Sequence, residues 1–109
     1  MKNKLLALLL GVSLLTPELA LAGQTTATWY GNGFHGRRMA NGKRFNQNAM
    51  TAAHPSLRLG SRIRVQYRGR SVMVRVTDRC RCSLDLSKAA FRRLAPLSKG
   101  RIKVRYSRI

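Results

Sequence analysis

Acidic residues are scarce in this chain. Its 109 residues include 22 Lys and Arg but only 3 Asp and Glu, which gives a formal net charge of +19. Beyond residue 22, only two carboxylate side chains are left, Asp78 and Asp85, and both lie in the stretch D-R-C-R-C-S-L-D. Any carboxylate chemistry therefore depends on these two residues, and a pair of carboxylates is the usual means of cleaving a glycosidic bond.

Cysteines are equally few, and this limits disulfide and metal chemistry. Cys80 and Cys82 are the only two, and in an exported chain they are expected to be oxidised. A C-x-C disulfide needs a tight bend, so free thiols or an intermolecular bridge are the alternatives. A zinc site with His35 and His54 has suitable ligand types but lacks the usual two-residue cysteine spacing. We therefore predict a Cys80–Cys82 disulfide and no metal.

Long apolar segments are also missing. The longest, residues 5–15, is too short to span a bilayer comfortably. It follows Lys2 and Lys4 and precedes A-L-A ending at Ala22, an arrangement typical of a signal peptide. No cysteine lies directly after this segment, which argues against a lipoprotein anchor, and a retained anchor helix is the alternative. We predict a signal peptide over residues 1–22 and one soluble, monomeric, periplasmic or secreted domain over residues 23–109.

The predicted domain is strongly basic. Removing Lys2, Lys4 and Glu18 leaves 20 basic and 2 acidic residues, a formal charge of +18. This charge predicts attraction to polyanions, which outside the cytosol are cell-wall polymers and lipid headgroups. Nucleic acid qualifies on charge alone, but the chain has no nucleic-acid motif, so we expect no specific binding to it.

Alternating apolar residues predict several short strands. Residues 25–30 are β-branched and aromatic, residues 62–68 and 71–78 alternate around Gly69 as a hairpin, and residues 102–106 alternate again. The segment from Leu86 to Ala95 reads as one helix, with Ser87 as its N-cap and Pro96 ending it. Short strands with one helix favour a compact barrel.

The segment Gly31 to Gly36 matches the dinucleotide-binding pattern G-x-G-x-x-G. No apolar helical period follows it, and no acidic residue lies about twenty positions later to hold a ribose. We therefore interpret its glycines as turn residues.

Six short motifs together carry a family resemblance. In chain order they are W-Y-G at residues 29–31, F-H-G at 34–36, M-A-N-G-K-R-F-N at 39–46, M-T-A-A-H at 50–54, D-R at 78–79 and D-L-S at 85–87. In order and approximate spacing, this series resembles the rare lipoprotein A (RlpA-like) family. The resemblance covers nearly all of residues 23–109.

The resemblance implies an all-β fold, a six-stranded double-psi β-barrel with one short helix. It also implies an endolytic lytic transglycosylase, a lyase that cleaves peptidoglycan glycan strands, preferably those without stem peptides. In such an enzyme an acid protonates the glycosidic oxygen. The resulting base then helps the sugar's 6-hydroxyl close into a 1,6-anhydro product, without water, metal or cofactor.

Two departures from the family pattern favour an alternative. The family's Glu and Asp in A-N-G-E-x-F-D are Lys43 and Asn46 here. The loop between D-R and D-L-S is also short. The alternative is a non-catalytic, cationic barrel that binds peptidoglycan or other envelope polyanions.

Three residues at matching family positions are the catalytic candidates, Asp85, Asp78 and His54. We predict Asp85 as the general acid and base, or otherwise as an anion at the start of the helix. Asp78 could instead fix a loop, and His54 could instead be a hydrogen-bonded, half-buried residue. The basic surroundings predict a lowered pKa for Asp85, which argues against acid catalysis. The predicted substrate-binding residues are Tyr30, Phe34, His35, Asn41 and Phe45.

Overall fold

The computed structural model describes residues 23–109, and the predicted signal peptide lies outside them. The strands are β1 (Gly23–Trp29), β2 (Thr51–Ala53), β3 (Arg62–Tyr67), β4 (Arg70–Asp78), β5 (Leu84–Leu86) and β6 (Arg101–Arg108). One α-helix, α1 (Lys88–Leu94), and a short 3-10 helix (Leu97–Lys99) connect β5 to β6. Within residues 23–109, no helix has the length and apolar character needed to cross a membrane.

The six strands form a closed barrel in the order β1-β5-β2-β4-β3-β6. β1 runs parallel to β5 and β2 runs parallel to β4, whereas the other four neighbouring pairs are antiparallel. Strands that are distant in sequence are therefore neighbours in space. The architecture confirms the predicted six-stranded double-psi β-barrel with one short helix.

Alternation along β3 and β4 explains how the barrel interior is filled. Ile63 and Val65 of β3 point inward with Val72, Val74 and Val76 of β4, while the residues between them are exposed. The apolar face of α1 adds three more buried residues, Ala90, Phe91 and Leu94. Burying a side chain the size of Phe91 contributes about 2–3 kcal/mol, so this helix is part of the core.

Ser87 determines where α1 begins. Its Oγ accepts a hydrogen bond from the Ala90 N–H at 3.1 Å, which satisfies one of the unpaired donors of the first turn. The predicted N-cap is therefore found at Ser87. Leu86, which we placed in the helix, belongs instead to β5, because its carbonyl accepts from Tyr30 N in the parallel pairing with β1.

Candidate functional site

A cleft of about 350 Å³ opens where β1, β2, β4 and β5 end or meet. It brings together five of the predicted catalytic and substrate-binding residues, Asp78, Asp85, Tyr30, Phe34 and Phe45. The remaining lining residues are Arg37, Arg38, Met39, Ala53, Arg79 and Cys80. Both carboxylate side chains of residues 23–109 thus line one cavity, where either could reach a bound substrate.

Asp85 is held at the middle of β5. Its Oδ1 accepts a hydrogen bond from the Thr28 hydroxyl at 2.9 Å, because the parallel pairing of β1 and β5 places Thr28 opposite Asp85. Burial raises the pKa of Asp85, the Thr28 hydrogen bond opposes this, and the negative charge of Asp78 adds to the rise. The raised pKa favours a carboxyl group that can hold a proton.

Two expectations about Asp85 are therefore wrong. The surrounding positive charge was expected to lower its pKa, but desolvation of the carboxylate is the larger effect. The helix-capping alternative also fails, since the side chain bonds to Thr28 on β1 and the first turn of α1 contains no acidic residue.

Asp78 ends β4 and joins three parts of the cleft wall. Its Oδ1 accepts from the backbone N–H groups of Ala40 and Arg79, both at 2.8 Å. Its Oδ2 accepts from the Tyr30 hydroxyl at 3.1 Å. A carboxylate that accepts two backbone N–H bonds and a phenol fixes the loops around it, which agrees with the loop-fixing alternative.

Three aromatic residues line one side of the cleft. The rings of Tyr30 and Phe45 stack with centroids 4.1 Å apart, and both residues are buried. Phe34 meets Tyr30 edge to face and is 45% exposed. Because Tyr30 and Phe45 are buried, Phe34 is the aromatic ring that can stack on a sugar face.

The Tyr30 hydroxyl remains a hydrogen-bond donor. Burial is the larger cause that raises the pKa of Tyr30 well above its usual range, and the negative charge of Asp78 adds to it.

The segment from Gly36 to Phe45 forms a flap whose Met39 and Phe45 pack with Tyr30 and Ala53 in a small apolar cluster. It folds back on itself through hydrogen bonds from Gly36 N to Phe45 O and from Phe45 N to Arg37 O. Phe45 is the anchor, since it is only 3% exposed. Lys43 and Asn46, at the positions of the family's Glu and Asp, are both exposed, and neither lines the cleft.

His54 does not reach the cleft, contrary to its predicted catalytic role. Its Nδ1 accepts from the backbone N–H groups of Ser56 and Leu57 at 3.0 and 2.9 Å, and its ring meets Tyr106 edge to face. Burial and the charge of Arg79 lower the pKa of His54. The residue is a neutral hydrogen-bond acceptor that shapes the turn after β2.

The geometry of His54 predicts a pH-dependent contribution to stability. Protonation of Nδ1 would remove the acceptor of both N–H groups, and the lowered pKa means that the folded chain binds this proton more weakly. The contribution is thus complete above the unfolded pKa of 6.5 and is lost as the pH falls through the lower, folded value. We expect His54→Ala to cost about 1–2 kcal/mol of unfolding free energy near neutral pH and much less at about pH 5.

Urea denaturation at about pH 7.5 and about pH 5 measures this difference. His35→Ala is the matched control, because the exposed His35 accepts a single N–H, from Gln47. An equal cost of His54→Ala at both pH values would contradict the proposed role.

Two predicted substrate-binding residues, His35 and Asn41, are also absent from the cleft lining. His35 Nδ1 accepts from Gln47 N, and Asn41 Oδ1 accepts from Lys43 N within the flap. Both side chains act as local acceptors that shape their loops, as is common for residues of this type.

Sequence reasoning missed four contributors to the site, namely Thr28, Arg37, Arg38 and Arg79. The guanidinium of Arg37 lies 5.6 Å from the centroid of the Phe34 ring, whereas Arg79 donates to Leu57 O at 2.6 Å. The polar Thr28 within a predicted strand was the available signal. Its hydrogen-bond partner Asp85 could not be predicted from the sequence, because β1 and β5 are more than fifty residues apart.

Cys80 lines the cleft, and Cys82 lies beside it outside the lining. The structure brings their sulfur atoms into bonding contact, with the Cα atoms 5.1 Å apart, inside the usual range for disulfides. Within residues 23–109, no group of three or more His, Cys, Asp or Glu side chains could hold a metal ion.

The sequence is similar to a protein family and to individual proteins of bacteria. Residues 22–106 match the sequence pattern of a family described as lytic transglycolase. An uncharacterized protein of Synechocystis sp. is 55% identical over 86 residues, 77% of this chain and 96% of that protein. The endolytic peptidoglycan transglycosylase RlpA of Neisseria meningitidis is 42% identical over 103 residues, 86% of this chain but 43% of that protein.

A solved structure is similar in fold. A mutant Clavibacter michiganensis expansin in complex with cellohexaose aligns with a TM-score of 0.66 and 25% identity, covering 81% of this chain and 50% of that one. This chain therefore spans about half the length of that expansin and less than half of the Neisseria enzyme.

Proposed function

Since this chain belongs to the lytic transglycolase family, we propose that it is an endolytic lytic transglycosylase that cleaves peptidoglycan glycan strands in the cell envelope. The observation that carries the proposal is the half-buried Asp85 carboxyl in the cleft, held by Thr28 and with a raised pKa. The peptidoglycan transglycosylase names of relatives such as the Neisseria protein support the substrate class.

One carboxyl group is sufficient for this reaction. Protonated Asp85 gives its proton to the glycosidic oxygen as the bond from that oxygen to the anomeric carbon breaks. The carboxylate then takes the proton of the 6-hydroxyl as that oxygen bonds to the anomeric carbon. Asp85 ends protonated, the products are a 1,6-anhydro end and a free hydroxyl, and no water is consumed.

The other cleft residues position the strand. Phe34 offers an exposed ring for stacking, and Asp78 fixes the flap at Ala40 and the ring of Tyr30. Burial of Asp85 beside this wall strengthens its electrostatic interactions. The expansin complex with cellohexaose supports a double-psi barrel surface as a site for a linear glycan.

Purified residues 23–109 are expected to release 1,6-anhydro products from glycan strands without stem peptides. Mass spectrometry distinguishes these products from hydrolytic ones, which are heavier by one water. Products of intermediate length early in the digest would show internal cleavage, and strands that retain stem peptides are the control substrate. Strands left intact under conditions where a family enzyme cleaves them would contradict the proposal.

The alternative is a non-catalytic cationic barrel that binds the cell wall. It is favoured by Lys43, a positive charge where the family pattern has a Glu, and by the charge of +19 on the whole chain. It predicts salt-sensitive binding to cell-wall sacculi that Asp85→Asn leaves unchanged, without release of anhydro products.

A further inference from the structure

A second groove lies at the far end of β4 from the cleft. It measures about 370 Å³, and its lining includes the apolar residues Leu94, Ala95 and Pro96. β4 has nine residues from Arg70 at this end to Asp78 at the cleft, roughly 26 Å of extended strand. Four cationic side chains line the groove, Arg68, Arg70, Arg92 and Lys99.

The four cations come from three separate elements. Two belong to the β3–β4 hairpin, one to the last turn of α1, and one to the 3-10 helix. The two carboxylate side chains of residues 23–109 both line the cleft and not this groove. Like charges gathered without a neutralising partner repel one another, and a bound anion removes this repulsion.

Backbone strain at Arg68 is a second observation. Arg68 and Gly69 form the two-residue hairpin turn with φ angles of 44° and 80°. Both positions of such a turn lie in the left-handed region, where Asn, Asp or Gly is the usual first residue. The guanidinium of Arg68 lies 5.4 Å from the centroid of the Tyr67 ring. An arginine in a strained conformation, with its charge beside the groove, points to a function for that charge.

We propose that this groove binds phosphate groups. Arginine guanidinium groups match phosphate oxygens in pairs of parallel hydrogen bonds, and four cations suit an anion of more than one charge. The rings of Tyr67 and Pro96 in the groove lining offer apolar contacts for the carbon atoms that carry the phosphate. The phosphate belongs either to a phosphodiester polymer of the envelope or to a small free compound, and both share this chemistry.

Arg68→Asn tests the proposal, because it is expected to move two measurements in opposite directions. Asparagine tolerates the left-handed conformation, so the melting temperature should rise, whereas the lost charge should weaken binding of inorganic pyrophosphate roughly tenfold by calorimetry. The matched charge control is Arg64→Gln, on the exposed face of β3 outside the groove. It should change the affinity less than about twofold.

Binding measurements with two phosphate compounds identify the source of the phosphate. If poly(glycerol phosphate) and pyrophosphate both bind and both depend on Arg68, the ligand is a polymer, and if only pyrophosphate binds, it is a small compound. Arg70→Gln combined with Arg92→Gln should reduce either binding about a hundredfold. Equal weakening by Arg64→Gln, binding to anionic lipid vesicles alone, or no binding at low salt would overturn the proposal.

Discussion

Asp85→Asn is expected to reduce the release of anhydro products from glycan strands by about 10²–10⁴-fold, the usual contribution of a general acid and base. Asparagine has the same shape and can still accept the Thr28 hydroxyl, but it cannot exchange a proton with the glycosidic oxygen or the 6-hydroxyl. Rates of product release, measured by mass spectrometry at saturating strand concentration, would give the loss in kcat. Binding of the strands should be largely retained.

The same substitution is expected to stabilise the fold at neutral pH. Because the pKa of Asp85 is raised on folding, the folded chain holds this proton more tightly than the unfolded chain does. Stability therefore falls as the pH rises from the unfolded value towards the folded one, and remains lower above it. Asparagine removes this cost, so the difference in melting temperature between variant and wild type should grow with pH over that window.

Arg64→Gln is the control for Asp85→Asn, since Arg64 is exposed on β3 and is not part of the cleft lining. It should leave cleavage unchanged. Retention of full activity by Asp85→Asn, with its fold intact, would remove Asp85 from the reaction.

Asp78→Ala is expected to lower the free energy of unfolding by about 3 kcal/mol, because it leaves the Tyr30 hydroxyl and the Ala40 and Arg79 N–H groups without their acceptor. Asp78→Asn keeps one acceptor oxygen for the N–H groups, and the Tyr30 oxygen can accept from its amide. We expect this conservative variant to lose no more than about 1 kcal/mol. Urea denaturation of the pair measures both values.

The pH profile of cleavage distinguishes a positioning role from a catalytic one for Asp78. Its negative charge contributes to the raised pKa of Asp85, so Asp78→Asn should shift the profile of kcat to lower pH while most of the activity remains. Loss of activity as large as that of Asp85→Asn would make Asp78 a second catalytic group instead.

The local order of apolar and polar residues was sufficient to predict the strands and the helix that have a clear period. The β3–β4 hairpin, β6 and the Ser87 cap of α1 were predicted from alternation and capping chemistry, and the closed barrel agrees with the family resemblance. The three-residue strands β2 and β5 were not predicted, because three residues are too few to show a period. Their parallel partners are set by the whole barrel, which local sequence does not encode.

The errors at the site have the same origin. The pKa of Asp85 depends on burial beside Thr28, which arises from strand pairing and not from neighbouring residues in the sequence. Composition could show a surplus of positive charge but not which charges face a given carboxylate. The M-T-A-A-H motif predicted His54 in the site, yet its Nδ1 accepts hydrogen bonds from the backbone N–H groups of Ser56 and Leu57.

The barrel closes between its first and last strands, so it cannot be complete until the last strand is in place. Gly23 pairs with Tyr106 and Thr28 with Arg101, so the closing contacts join opposite ends of the described chain. Bringing such distant strands together costs loop-closure entropy before the stabilising contacts between them form. Folding is therefore expected to be slow compared with that of helical domains. Until β6 arrives, β1 and β3 are both open edges that can pair with other chains. Docking of β6 between β1 and β3 is therefore the step that protects this protein from aggregation.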